Sequence, residues 1–392
     1  MAIIAKQYWG QIGIQPGESK VVGLLFAHFC LIGAARSLTR TVAYALFLST
    51  FAAATLPYLY LSVSLVLLLV TAVYLRTTQR FALMPLLRGT LLFLVVGLVL
   101  YQLALTWPRV PWLIFTLPIW YEIVWCLTGL ETWALAGRLL TTPEGQRLFG
   151  VISAGEWLTI VAGGVVTPFL VQRVAIGSLL LIAAGALGVA WLLLQIITHQ
   201  CAERLTSPAL SGAQAAAAPI PALPIHQRRY VGFIFALFML SVTVFFFVDA
   251  IFNAQVALRY PSEVQMAAFL SIFFALSSLL TLFSNAFLIA PLLRYWGMGR
   301  TLLVEPVVLA VCTGAMLLAA LTWGAGEVFF GLGLLNKLLT TGIGLSVGDA
   351  VFKLLYQPLR AHERLWVQTM TEGVVYSLTL GVVGLLLLCF TY

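Results

Sequence analysis

The sequence predicts an all-α integral membrane protein with eleven transmembrane helices, six in its first half and five in its second. Three observations carry this. Of 392 residues, 62% are hydrophobic and only 9% are charged, whereas a soluble domain carries about 25% charged residues. The apolar residues fall in long runs, among them Leu56 to Tyr74 and Gly373 to Phe390, which suit helices crossing the hydrocarbon core. Lipid offers no hydrogen bonds, so a spanning segment is either a helix or a strand of a closed barrel. The alternating pattern of barrel strands is not found here.

The spans are read at 21–49, 56–75, 84–107, 111–138, 147–171, 174–198, 230–258, 263–291, 300–322, 324–355 and 365–391. Several exceed the minimum of about 20 residues and imply tilt or extension beyond the bilayer. With the N-terminus inside, fifteen of the 21 Lys and Arg residues fall on the cytoplasmic side. Arg109, Arg173 and Arg259 fall opposite, and Arg36, Arg40 and Lys337 lie within spans. This positive-inside bias predicts a cytoplasmic N-terminus and, from an odd number of spans, an extracytoplasmic C-terminus. In a bacterial cell the expected location is the inner membrane. Trp112, Trp120, Trp296 and Trp323 fall near span ends, as an interfacial aromatic belt requires.

The net charge of +8 is thereby explained by topology, and no nucleic-acid partner is expected. The five cysteines lack CxxC spacing, so neither disulfides nor a metal site is expected. No cofactor is expected either. No phosphate loop, His-Glu-x-x-His or Gly-x-Ser-x-Gly signature is present, which speaks against an enzyme.

Residues 1–20 read as a cytoplasmic N-terminal segment and 21–198 as a six-helix bundle. Residues 199–229 have linker composition, with an alanine run and Pro219, Pro221 and Pro224. Residues 230–392 supply a five-helix bundle. The halves resemble repeats. Gln146-Arg147-Leu148-Phe149 parallels Glu363-Arg364-Leu365-Trp366, and each is followed by a membrane glutamate, Glu156 or Glu372. Arg88-Gly89-Thr90-Leu91-Leu92 parallels Gly299-Arg300-Thr301-Leu302-Leu303. Parallel halves joined by a cytoplasmic linker form the pattern of the major facilitator architecture. The counterpart of span 6 is not seen in the second half, so the expectation is either a missing C-terminal segment or completion by another subunit, such as a homo-oligomer partner.

Several stretches also resemble the nucleotide transporter (ATP:ADP antiporter-like) branch of that superfamily. They are Ala45-Leu46-Phe47-Leu48, Leu56-Pro57-Tyr58-Leu59-Tyr60, Arg147-Leu148-Phe149-Gly150, Ala154-Gly155-Glu156, Val248-Asp249, Tyr260-Pro261-Ser262-Glu263 and Leu355-Tyr356-Gln357-Pro358-Leu359. The resemblance implies a solute transporter whose spans 1, 4, 7 and 10 line a central cavity. Where the family typically carries a basic-acidic pair in span 1, this chain has Ala43 and Tyr44. Where it often has lysine in span 7, this chain has Asn253. A polyphosphate needs cations, so these departures point away from a tetra-anionic substrate.

Charge in hydrocarbon costs several kcal/mol and demands a partner, water or a use. At 1.5 Å per residue, Arg36, Arg40, Glu122, Asp249 and Lys337 fall near mid-membrane, and Asn253 lies one turn from Asp249. These six form the candidate substrate set, with three positive and two negative charges suited to a small, mildly anionic solute. The opposing reading makes Arg40–Asp249 and Lys337–Glu122 structural ion pairs. A second set nearer the cytoplasmic ends comprises Glu131, Arg147, Glu156, Asp349, Arg364 and Glu372, a candidate gate of salt bridges or else snorkelling interfacial charges. His28 reads as a core histidine, with a proton relay as the alternative. The functional expectation is a secondary transporter of an organic anion working by alternating access. Its alternative is a non-transporting membrane sensor or scaffold of the same fold.

Overall fold

A computed structural model describes residues 15, 18–106, 110–206, 225–324, 326–359 and 361–391. Among these, eleven helices are long and apolar enough to cross a membrane. They contain α1 (Ser19–Thr50), α2 (Leu56–Arg80), α3 (Leu83–Leu105), α4 (Pro111–Leu139), α5 (Thr142–Leu170), α6 (Leu179–Gln200), α7 (Ile225–Arg259), α8 (Glu263–Phe283), α9 (Val304–Trp323), α10 (Glu327–Ile343) and α11 (Tyr376–Thr391). The helices start where the sequence offers starts. Pro111 opens α4, where its missing N–H is no loss. At the head of α5, the Thr141 N–H donates to Glu144 Oε2 at 2.8 Å, satisfying one of the orphan donors of a first turn. The crossing part of α5 begins after this, at Arg147. Gly324, with φ of 74°, ends α9 in the left-handed conformation that glycine adopts freely.

Three helices of the second half change pitch. A π-helical turn, Ser284–Leu288, extends α8, and another, Gly344–Gly348, extends α10. A third, Met370–Val375, joins Ala361–Thr369 to α11.

The chain forms two compact units, residues 1–43 with 75–215 and residues 44–74 with 216–392. In the first, α3 packs along α4 and α6. A buried apolar line on α3, including Leu87, Leu91, Leu94 and Leu98, has the helical spacing that produces one packing face. In the second, α10 packs along α7, α8 and α9, and α11 packs along α7. Helix α2, as far as Tyr74, belongs to this second unit, although it precedes the linker in the chain. A Cβ at Gly384 of α11 would lie 2.9 Å from the Pro57 carbonyl oxygen, so the missing side chain is what lets these backbones meet.

Candidate functional site

Each unit holds a buried ionic cluster. In the first, Arg36 of α1 is 6% exposed. Its Nε donates to Thr128 Oγ1 at 2.8 Å and its Nη2 to the Trp125 carbonyl oxygen at 2.9 Å. Its Nη1 donates to, and pairs with, Glu156 of α5. The guanidinium also lies 4.2 Å from the Trp125 ring centroid, the stacking that suits its planar charge. Glycines set this geometry. A Cβ at Gly33 would stand 2.6 Å from the Glu156 carbonyl oxygen, and one at Gly155 would stand 2.8 Å from the Phe26 carbonyl oxygen. The two backbones therefore approach closely at the arginine's anchor, Glu156.

A second pair sits on the same helix. His28 Nε2 lies 3.0 Å and 3.1 Å from the two carboxylate oxygens of Glu131 on α4, and both residues are fully buried.

In the second unit, Asp249 of α7 is the hub. Lys337 Nζ lies 2.6 Å from its Oδ1. Tyr60 Oη donates to Oδ2 at 2.9 Å, and Asn253 Nδ2 donates to the same oxygen at 2.8 Å. Lys337 Nζ also lies 3.8 Å from the Phe245 ring centroid. All four polar members of this cluster are buried. Two hydrogen-bond donors and the lysine's charge beside one carboxylate offset much of the cost of burying it.

Members of the candidate substrate set lie in both units. Asp249, Asn253 and Lys337 come together, while Arg36 is joined to Glu156. Arg40 and Glu122 are half-buried. Lys337 takes Asp249 as its partner, where the structural-pair reading had given it Glu122. The members of the gate set have these partners within their own units. Glu156 and Glu131 serve Arg36 and His28, because a buried guanidinium and a buried imidazole need anionic acceptors more than an interface does. Arg147 pairs with Glu18 at 2.5 Å. Arg364 donates to the carbonyl oxygens of Gln357 at 3.1 Å and Leu359 at 3.4 Å. Glu372 is exposed and accepts from Gln368 at 3.0 Å. The side chain of Asp349 lies outside the described residues. Trp125, Thr128, Tyr60 and Phe245 were not singled out as site residues from the sequence. Only Tyr60 carried a signal, as the last residue of one stretch on which the sequence resemblance was read.

The sequence matches no family model and no curated protein at a significant level. Solved structures do match. A point mutant of the nucleoside transporter NupG is 14% identical with a TM-score of 0.66, covering 93% of this chain and 88% of that one. The POT family transporter PepTSo is 13% identical with a TM-score of 0.66, covering 96% and 90%. A bacterial homologue of the iron transporter ferroportin, inward-facing, is 16% identical with a TM-score of 0.61, covering 96% and 92%. The chain is an all-α integral membrane protein with a major-facilitator-like two-bundle fold. These structural relatives support that fold without singling out the ATP:ADP antiporter branch.

Proposed function

We propose that this chain is a secondary transporter that moves a small organic anion of low charge by alternating access. The observation that carries the reading is the pair of buried ionic clusters inside spans that are otherwise apolar, a costly arrangement in hydrocarbon. The candidate set, with Glu156 now included, holds Arg36, Arg40 and Lys337 against Glu122, Glu156 and Asp249. That balance favours a monoanion or zwitterion over a nucleoside polyphosphate. Ala43, fully buried, packs where the nucleotide transporters carry charge, which argues the same way. Transport by the similar structures, of nucleosides in NupG, agrees with the class of function.

The reading as a sensor or scaffold has one observation in its favour: Arg36 and Lys337 each have several partners within the protein. Proteoliposomes separate the two. Counterflow of a panel of nucleosides, nucleoside monophosphates, ATP and small carboxylates should give saturable uptake for one low-charge class, and Arg40→Gln should reduce it at least tenfold while the protein still folds. Saturable binding without any flux would favour the sensor, and preferred exchange of ATP would overturn the charge argument.

A further inference from the structure

We infer that the corner between α2 and α3 binds the headgroup of an anionic phospholipid, whose acyl chains lie along the exposed side of α3. The argument begins with charge. Arg76 and Arg80 lie one turn apart at the end of α2, and both are exposed. Phe81 and Ala82 follow, and Arg88 lies in the second turn of α3. All three cations are therefore within about 8 Å of helix rise from one corner. Among the described residues, none of the three has a hydrogen-bond or ionic partner. Other arginines of the same unit are held by the protein: Arg138 by the Leu205 carbonyl oxygen, Arg147 by Glu18 and Arg204 by Glu144. No Asp or Glu stands between Glu18 and Glu122 in the sequence, and α6, which packs along α3, has none either. Glu131 of α4 is bound to His28. A counter-charge for this corner has to come from outside the chain.

The second observation is the state of Arg88. It is half-buried, and its Nε is shut off from solvent without a partner. The fold brings this charge against an apolar helix and supplies no acceptor, a cost that an anionic oxygen on its accessible side offsets. The start of α3 adds to the attraction, because Ala82 gives it no side-chain cap and its first turn has no acidic residue. The third observation favours a lipid over a free anion. Arg88 heads a line at helical spacing, Leu92, Val96, Leu100 and Leu103, and all four apolar members are exposed. Phe81 at the corner and Phe93 on α3 are exposed as well. From Arg88 to Leu103 the line runs roughly 22 Å, more than the roughly 15 Å depth of one leaflet. A cationic head over an apolar line complements an anionic phospholipid, and the positive-inside bias puts it in the cytoplasmic leaflet.

Native mass spectrometry of the full chain in detergent tests this, with dioleoyl phosphatidylglycerol, dioleoyl phosphatidylcholine and inorganic phosphate as probes. Phosphatidylglycerol should bind about tenfold or more tightly than phosphatidylcholine. An arginine near an anionic surface contributes about fivefold in affinity, so Arg80→Gln/Arg88→Gln should weaken phosphatidylglycerol binding roughly 20-fold and leave phosphatidylcholine unchanged. Arg294→Gln/Arg300→Gln removes two exposed cations from the second unit and should leave both affinities unchanged. Equal affinity for the two lipids, or equal losses in the two double variants, would overturn the site. Displacement of the lipid by millimolar phosphate would mark a plain anion site and overturn it as well. Should Arg80→Gln/Arg88→Gln fail to fold, Arg76→Gln/Arg80→Gln, confined to exposed side chains, decides by the same comparison.

Discussion

At the residue scale, the structure turns on how a few charges are kept in an apolar interior. Arg36 has a carboxylate, a hydroxyl, a carbonyl and an indole face arranged about it. Removing only one member leaves a buried charge uncompensated, which costs about 3–5 kcal/mol, whereas replacing both is often close to neutral. Arg36→Gln and Glu156→Gln should therefore each lower the unfolding temperature in detergent, while the double variant should recover most of the loss. Additive losses would mean that the pair is not coupled. This logic explains what was legible in the sequence. The cost of intramembrane charge identified Arg36, Lys337 and Asp249 from their depth alone. Their partners were not legible, because pairing depends on which helices touch. Glu156 lies about 13 Å into its span by helical rise, so depth suggested an interfacial role. The long arginine side chain, and glycines that bring α1 against α5, place it in the interior cluster instead.

At the element scale, helix ends and helix pitch matter more than helix interiors. The eleven spans were legible because each is a long apolar run, and the observed ends fall within a few residues of those expected. The π-helical turns were not legible, since an extra residue per turn leaves no mark on hydropathy. The head of α5 offers a pH test outside the crossing segments. Partial burial pushes the Glu144 carboxyl up, but hydrogen bonds from Thr141 and the Arg204 guanidinium outweigh this and hold it below its ordinary value. Arg204 Nη1 lies 3.3 Å from Glu144 Oε1 and donates to the Leu139 carbonyl oxygen at 3.3 Å, tying Ala202–Thr206 to the end of α4. A depressed carboxylate contributes stability above its unfolded value, about 4.3, and that contribution is lost as pH falls. Hydrogen exchange in Ala202–Thr206 should therefore accelerate below about pH 4 once the intrinsic rate is removed. Glu144→Gln should abolish this acid-dependent part, and an unchanged profile in the variant would rule out the latch.

At the scale of the whole molecule, the positive-inside bias gives the orientation prediction. A phosphatase active only outside the cytoplasm, fused after Phe390, should be active, and a cytoplasm-dependent fluorescent reporter at the same place should be dark. The reverse pattern would refute the odd number of crossings. The placement of α2 has a consequence in time. Its partners in the second unit, Asp249 on α7 and Gly381 and Gly384 on α11, are encoded after the linker. During synthesis α2 enters the bilayer long before they exist. Tyr60 must wait for a carboxylate nearly 190 residues downstream, and the contact with α11 forms only when α11 has left the ribosome. Early α2 is thus an unfinished helix exposed to lipid and to the quality-control proteases of the membrane. Expressing residues 1–206 alone should give a product degraded faster than the intact chain, and co-expressing residues 207–392 should rescue it. Equal lifetimes with and without the second piece would show that α2 does not depend on these late partners.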